Sequence, residues 1–449
     1  MNKKPLQQFR DTVYQALPKR ADATMDLLDA LTATGHVGSP VAVSENVLFR
    51  RQFSSVYDVL EEGELPEADL RTIFSQCQPP EGETIAGYEV YAVDCTPNPR
   101  PEAETLPERV NLKSQKNQAV QVGEKFSWLV RLFKQRSSWV APQDIQRVSP
   151  NMTDSEVAVQ QILQLDKQND RLKVAVADSL YGNQYFLAVF LLVTTVVGLV
   201  RLRSNLRLYE NPIPKPPKSK GRPRVHGPVF KLTDPSRLPD RRHTFILAGQ
   251  KIRLAAWHNL HLRKLPALVG MVLRVEFLKA NDTPRYKTPL YLFWTGPLTV
   301  PLEDLCRMYL WRFAIEHAFR FLKQHLGLNA CRSSDPQVVS RWLWLVALAY
   351  WQLLLMAPVV CDGKAVADHR PAWRRATLPE TKMLTPGIVQ RGALSFLLSL
   401  GTPAAAPRPA GKGSGRAKGY RPQPKKRYPV VRKSQKRAKT ARRRRETAV

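Results

Sequence analysis

Lys173-Val-Ala-Val-Ala-Asp178 is a short, nearly continuous apolar stretch closed by an acid, and Tyr88-Glu-Val-Tyr-Ala-Val-Asp94 is its counterpart earlier in the chain. Both are too short for helices. Both predict strands buried on two faces, as in a parallel or mixed sheet with helices packed against it. The predicted class is therefore α/β. In open sheets of this kind, ligands gather at strand ends. If the two strands are neighbours, the carboxylates of Asp94 and Asp178 sit side by side. Two such groups repel, and that repulsion suits a divalent cation with a preference for oxygen ligands, such as Mg²⁺. Taken singly, each aspartate also fits a plain turn-former.

Outward from these strands the composition changes in blocks. Residues 1–82 read as helical and form a candidate DNA-binding region: apolar spacing near 3.6 recurs over 9–17, 25–31 and 47–60, before Gln78-Pro79-Pro80 breaks the chain. Residues 83–205 carry both acid-terminated strands, further strand candidates at 120–132 and 137–140, and a helix that Asp154 is expected to cap. Residues 206–299 open with a basic loop, 211–227, centred on Gly221-Arg-Pro-Arg224. This segment reads equally as a minor-groove hook or a basic linker. Strand candidates follow at 244–247, 251–257, 267–277 and 290–294, so the block reads as a β-rich insertion. Residues 300–401 return to helices.

The last block, 402–449, carries 17 Lys or Arg and one acid, Glu446. It predicts a disordered basic tail that attracts DNA without choosing a sequence. Over the whole 449 residues, 69 Lys and Arg face 38 Asp and Glu, a net charge of +31. Such a field calls for a polyanion, nucleic acid before an anionic membrane, and by itself leaves DNA and RNA open.

Five scattered cysteines, with no Cys-x-x-Cys pair, predict a reducing compartment and no zinc knuckle. His258 and His261 stand three apart with no third metal ligand placed near them. The first ten residues carry no apolar stretch of a signal peptide. The apolar run 186–200 is too short to cross a bilayer, and 342–360, which carries Gln352, reads as a buried core helix. The expectation is a cytoplasmic, nucleoid-associated protein with no membrane partner.

A long helix is predicted over 301–326, stopped by Gly327. On a wheel of about 100° per residue, Arg312, Glu316, Arg320 and Lys323 fall within about 60° of Tyr309. Trp311, Ile315, Ala318 and Leu322 occupy the other side. The helix thus buries one stripe and presents the other. Arg312 and Glu316 alone also read as an ordinary i,i+4 surface pair.

The spacing Tyr309-x2-Arg312-x3-Glu316-x6-Lys323 resembles the Tyr-Arg-Glu-Lys signature of bacterial insertion-sequence transposases with a ribonuclease-H-like DDE core. Three further stretches resemble one branch of that group: Ser39-Pro40 with Leu48-Phe-Arg-Arg-Gln-Phe-Ser-Ser-Val-Tyr57, Val93-Asp-Cys-Thr-Pro97, and Val176-Ala-Asp-Ser-Leu-Tyr-Gly182. The resemblance spans roughly residues 40 to 360. It implies that Asp94, Asp178 and Glu316 are the catalytic, metal-binding acids, holding two Mg²⁺ or Mn²⁺ ions. It implies that Tyr309, Arg312 and Lys323 hold DNA phosphates, and that the chain pairs as a homodimer on double-stranded DNA. In relatives that form hairpin ends, an aromatic of the insertion stabilises a flipped base, which makes Trp257 and Trp294 candidates beside the plainer reading of both as core. The competing readings are an inactive DNA-binding relative and a basic nucleic-acid-binding protein without enzymatic activity.

Overall fold

A computed structural model describes residues 3–77, 84–112, 120–133, 138–213, 221–234, 236–361, 384–408, 415, 417–421 and 423–431. The fold is a mixed α/β sheet covered by helices. Its centre is β1 (Glu89–Pro99), antiparallel to β3 (Val122–Leu132) and parallel to β5 (Lys173–Ala177). On one flank, β3 pairs with β2 (Val110–Asn111) and β4 (Ala141–Arg147). On the other, β6 (Val196–Leu202) runs parallel to β5. The two strands that carry Asp94 and Asp178 are therefore neighbours within the sheet.

The β-rich block does not stand apart. β12 (Leu290–Trp294) pairs antiparallel with β6, then β11 (Leu265–Phe277) and β10 (Gln250–Leu262) continue the same sheet. β10 also pairs with β7 (Arg207–Glu210) and β9 (Arg241–Leu247), and β8 (Val229–Lys231) lies on β7. Residues 214–220 of the expected basic loop lie outside the described residues.

The strand expected at 137–140 lies instead at Ala141–Arg147. Trp139 and Val140 have strand propensity, but Trp139 is spent on a ring contact with Tyr350 and a hydrogen bond to the Leu384 carbonyl. The true strand was hidden by its polarity. Its Asp144 accepts from Gln146 at 2.7 Å and from Gln161 at 3.0 Å, so its polar groups are satisfied inside the fold.

Four helices precede the sheet: α1 (Lys4–Ala16), α2 (Ala21–Ala33), α3 (Ser54–Glu62) and α4 (Glu67–Gln76). α3 starts later than the apolar spacing from residue 47 suggested, because Arg50 and Arg51 are both held on Asp26 of α2, at 2.7 and 3.0 Å. α5 (Asp154–Asp166) is capped by Thr153 in a capping box with Glu156, not by Asp154. Asp154 pairs with Lys125 at 3.0 Å. The short α6 (Gln184–Leu187) follows β5.

Late in the chain come α7 (Leu302–Trp311), α8 (Phe313–Gln324), α9 (Pro336–Cys361) and α10 (Pro386–Leu400). α9 is long and apolar enough to cross a membrane, yet its most apolar window is 94% buried inside the protein. It is the central helix of a core that the N-terminal helices share. Phe74 stacks on Trp351 at 5.4 Å and on Trp344 at 5.7 Å, and Phe9 stacks on Trp351 at 6.0 Å. A buried ion pair, Arg10 with Asp29, is tied to α9 through Gln352 and to the end of α10 through the Gly401 carbonyl. Such a pair holds its neighbours in one arrangement more than it adds stability.

α8 stops where the sequence predicted. Gly327 takes φ +62°, and Leu328 N–H donates back to the Leu322 carbonyl at 2.9 Å, which turns the chain away from the helix axis.

The tail departs from expectation where it is described. Ala404 is buried, and Arg50 and Arg51 donate to the Ala404 and Ala405 carbonyls at 3.1 and 3.0 Å. Farther on, Tyr428 N–H donates to Glu104 O at 2.8 Å and Val431 N–H to Arg109 O at 2.7 Å, beside β2. Composition misjudged this part because backbone hydrogen bonds need no apolar side chains. Residues 432–449 lie outside the described residues.

Candidate active site

Side chains alternate along a strand. Val90 and Ala92 of β1, with Val174 and Val176 of β5, belong to the same core cluster as Ile315, Ala318 and Leu322 of α8. Tyr91, Val93, Ala175 and Ala177 face the opposite cluster. The next residue on the α8 side is Asp94 in one strand and Asp178 just past the end of the other. Because Val93 lies opposite Ala177 in parallel register, the two acids sit at the same level. Asp178 follows the end of β5 as expected, whereas Asp94 does not end its strand, because β1 stays paired with β3 through Pro99. Local hydrogen bonds orient each one. Asp94 Oδ1 accepts from Cys95 N–H at 2.8 Å, and Asp178 Oδ1 accepts from Leu180 N–H at 2.7 Å.

The predicted single helix over 301–326 is broken at Arg312. Arg312 N–H bonds to the Tyr309 carbonyl and Ile315 N–H to the Arg312 carbonyl, both at 3.1 Å and both three residues apart. The tightened turn sends the Arg312 side chain inward, where it is only 7% exposed. Its Nη1 donates to Asp94 Oδ2 at 3.2 Å and its Nη2 to Glu316 Oε1 at 2.8 Å. One guanidinium thus joins the sheet acid to the helix acid.

The wheel placed five polar residues on one presented stripe, and the structure divides them. Tyr309 and Arg312 are buried, Glu316 and Arg320 are exposed, and Lys323 is half-buried. The opposite stripe of Trp311, Ile315, Ala318 and Leu322 is buried as expected. The difference has a packing cause: α7 lies over β9 and β10 while α8 lies over β1, so the joint between them is pressed onto the sheet. The Tyr309 hydroxyl is buried without a hydrogen-bond partner, and the Arg312 guanidinium lies 5.9 Å from the Tyr309 ring and 5.7 Å from the Phe313 ring.

The electrostatics follow from this crowding. Asp94 is pushed up to about 6 from 3.8, first by burial; Arg312 opposes the rise, and the charges of Asp178 and Glu316 add to it. Burial pushes the Lys323 ammonium below its ordinary value, with Asp94 opposing. A buried carboxylate with two more carboxylates acting on it suits a hard cation, and their oxygens are the donors Mg²⁺ or Mn²⁺ takes. The donor chemistry fits. The spacing is not that of a formed cage: among the described residues no group of three or more His, Cys, Asp or Glu is gathered to hold an ion. The Arg312 guanidinium instead joins Asp94 to Glu316.

Sequence reasoning missed Arg201. It lies on β6, one strand beyond Asp178, on the same face as Leu199 and α8, and its charge is felt at Tyr309. A lone arginine after an apolar run looked like the end of that run. Arg201 also lines a cavity of about 570 Å³ with Phe277, Tyr286, Leu310 and Phe313.

The base-stacking candidates are core residues. Trp294 is fully buried and donates to Pro297 O at 2.9 Å. Trp257 is 3% exposed, donates to Arg237 O at 3.0 Å, and is covered by the Arg274 guanidinium at 5.6 Å. His261 Nε2 lies 3.0 Å from His226 Nδ1.

A family model described as a DDE superfamily endonuclease matches residues 12–263. That stretch contains Asp94 and Asp178 and ends before Glu316. Among solved structures, the cryo-EM structure of a piggyBac transposase synaptic complex with hairpin DNA is similar, with a TM-score of 0.42 and 8% identity over 86% of this chain and 73% of that one. Comparison with curated proteins matches none.

Proposed function

The chain belongs to the DDE superfamily of endonucleases, and on that premise we propose that it is a transposase that cleaves and rejoins DNA strands at the ends of an insertion-sequence element. The observation that carries this reading is the side-by-side placement of Asp94, within β1, and Asp178, just past the end of the adjacent parallel β5, with Glu316 joined to Asp94 through Arg312. In this reading Asp94, Asp178 and Glu316 hold two divalent ions, Mg²⁺ or Mn²⁺. Bound there, the ions would activate the attacking oxygen and stabilise the leaving oxygen of an in-line displacement at phosphorus.

The protein's own residues do the rest. The sheet fixes the two aspartates through the β1–β5 register, and α8 carries Glu316 to them. Arg312 and Lys323 offset phosphate charge, the first as a planar fork and the second as a point charge. Tyr309 sets the floor beneath Arg312. The half-buried setting keeps bulk water from screening these charges. A ribonuclease-H-like core is supported by the five-strand order β4-β3-β1-β5-β6, antiparallel on one side of β1 and parallel on the other. Pairing of two copies on two DNA ends, and a place at the nucleoid, belong to the same reading, with the +31 charge as support.

The test uses a duplex carrying the inverted repeats that flank the reading frame. Glu316→Gln is expected to bind this duplex like the unaltered protein and to lose Mg²⁺-dependent nicking. Undiminished nicking by that variant would remove Glu316 from the site. Absence of nicking by the unaltered protein, with binding intact, would favour the reading that the Arg312 contact also suits: a DNA-binding relative whose acids no longer serve catalysis.

A further inference from the structure

We infer that Arg312 is a resident cation of the acidic centre, which a DNA phosphate must draw away before a divalent ion can load, so that DNA and metal bind cooperatively. This rests on the transposase reading above and adds an order of events to it.

The contacts set the two states in competition. Asp94 Oδ1 is taken by Cys95 N–H and its Oδ2 by Arg312. Glu316 Oε1 is taken by the same guanidinium. A divalent ion between Asp94 and Glu316 competes with Arg312 for Asp94 Oδ2 and Glu316 Oε1, and it is repelled by a guanidinium within a few ångströms. The described acids therefore form no ready cage as they stand.

The structure also gives Arg312 a way out. It sits at the break between α7 and α8, and its Nε has no hydrogen-bond partner. Its guanidinium lies against the ring of Phe313, which is 43% exposed, so it has an aromatic surface leading toward solvent. Glu316 is half exposed, and the neighbouring outer positions of α8 carry Arg320 and Lys323. A phosphate attracted by those two residues competes with Asp94 and Glu316 for the Arg312 fork. Each group that withdraws Arg312 favours the ion, and by reciprocity each bound ion favours the phosphate.

The test is a titration of the full chain with Mn²⁺, with free ion followed by electron paramagnetic resonance, with and without a short DNA duplex. For the unaltered protein, DNA is expected to tighten Mn²⁺ binding by about tenfold, within the usual range for coupled sites. Arg312→Gln is expected to bind Mn²⁺ about tenfold more tightly than the unaltered protein without DNA, and to respond little to DNA. Arg312→Lys, which keeps the charge but loses the fork, falls between and covers the case of a misfolded glutamine variant. Arg320→Gln controls for loss of a nearby positive charge and should leave DNA-free Mn²⁺ affinity unchanged. Unchanged or weaker DNA-free affinity in both Arg312 variants, with Asp94→Asn abolishing binding, overturns the inference and leaves the metal site standing. If Asp94→Asn binds Mn²⁺ like the unaltered protein, the metal site itself is refuted, and the inference with it.

Discussion

Arg312 Nη1 lies 3.2 Å from Asp94 Oδ2, although 218 residues separate the two in the chain. The contact joins a helix that follows the β-rich block to a strand that precedes it. It exists because the β12–β6 pairing returns the chain to the edge of the β1–β5–β6 strands, from which α8 lies back over β1. The same return places Glu316 on the guanidinium that holds Asp94.

The strain on Asp94 is measurable as stability. Its pKa is about 6 against an ordinary 3.8, with burial the main cause. Between about pH 4 and pH 6 the folded protein holds the proton that the unfolded chain has lost, so stability falls as pH rises through that window. Asp94→Asn removes the cost of the charge. In metal-free protein the variant is expected to gain up to about 3 kcal/mol at pH 7.5 and much less at pH 4.5. Urea unfolding at the two pH values reads the difference. An equal loss at both would mean the carboxylate is not destabilising.

The shared helical core predicts a large single-site loss. Trp351 is fully buried between Phe9 and Phe74, and its indole N–H donates to Pro142 O at 2.8 Å. Trp351→Ala leaves a cavity where α1, α4 and α9 meet and is expected to cost about 3–5 kcal/mol. The first helices should loosen with it, seen as faster proteolysis before residue 77. A loss below about 1 kcal/mol would show that the cavity collapses without cost.

Truncation after Val431 removes nine Lys and Arg while keeping the segment docked on β2. DNA binding is expected to weaken alike for all sequences, and the dependence of log K on log salt to flatten by about 0.9 per lost phosphate contact. Nicking at saturating DNA should be unchanged. An unaltered salt slope would mean these residues do not touch DNA.

Much of this was legible in the residues themselves. Short apolar runs before an acid located β5 and the first half of β1; the second half of β1, residues 95–99, holds its strand through pairing with β3. Strand candidates at 244–277 and 290–294, the buried α9 and the stop at Gly327 came from local pattern and backbone preference. β4 did not, because its polar residues find partners only in the assembled fold. The docked segments of the tail escaped for a related reason: their bonds run through backbone atoms, which composition does not register. Within the site, spacing along the chain brought Tyr309, Arg312, Glu316 and Lys323 into one pattern, but a wheel assumes a straight helix with one dry side. Only the folded sheet pressed the α7–α8 joint inward, buried Tyr309 and Arg312, and turned Arg312 onto the acids. Burial and charge contact depend on what lies across the gap, and for Arg312 that neighbour is a strand 218 residues away.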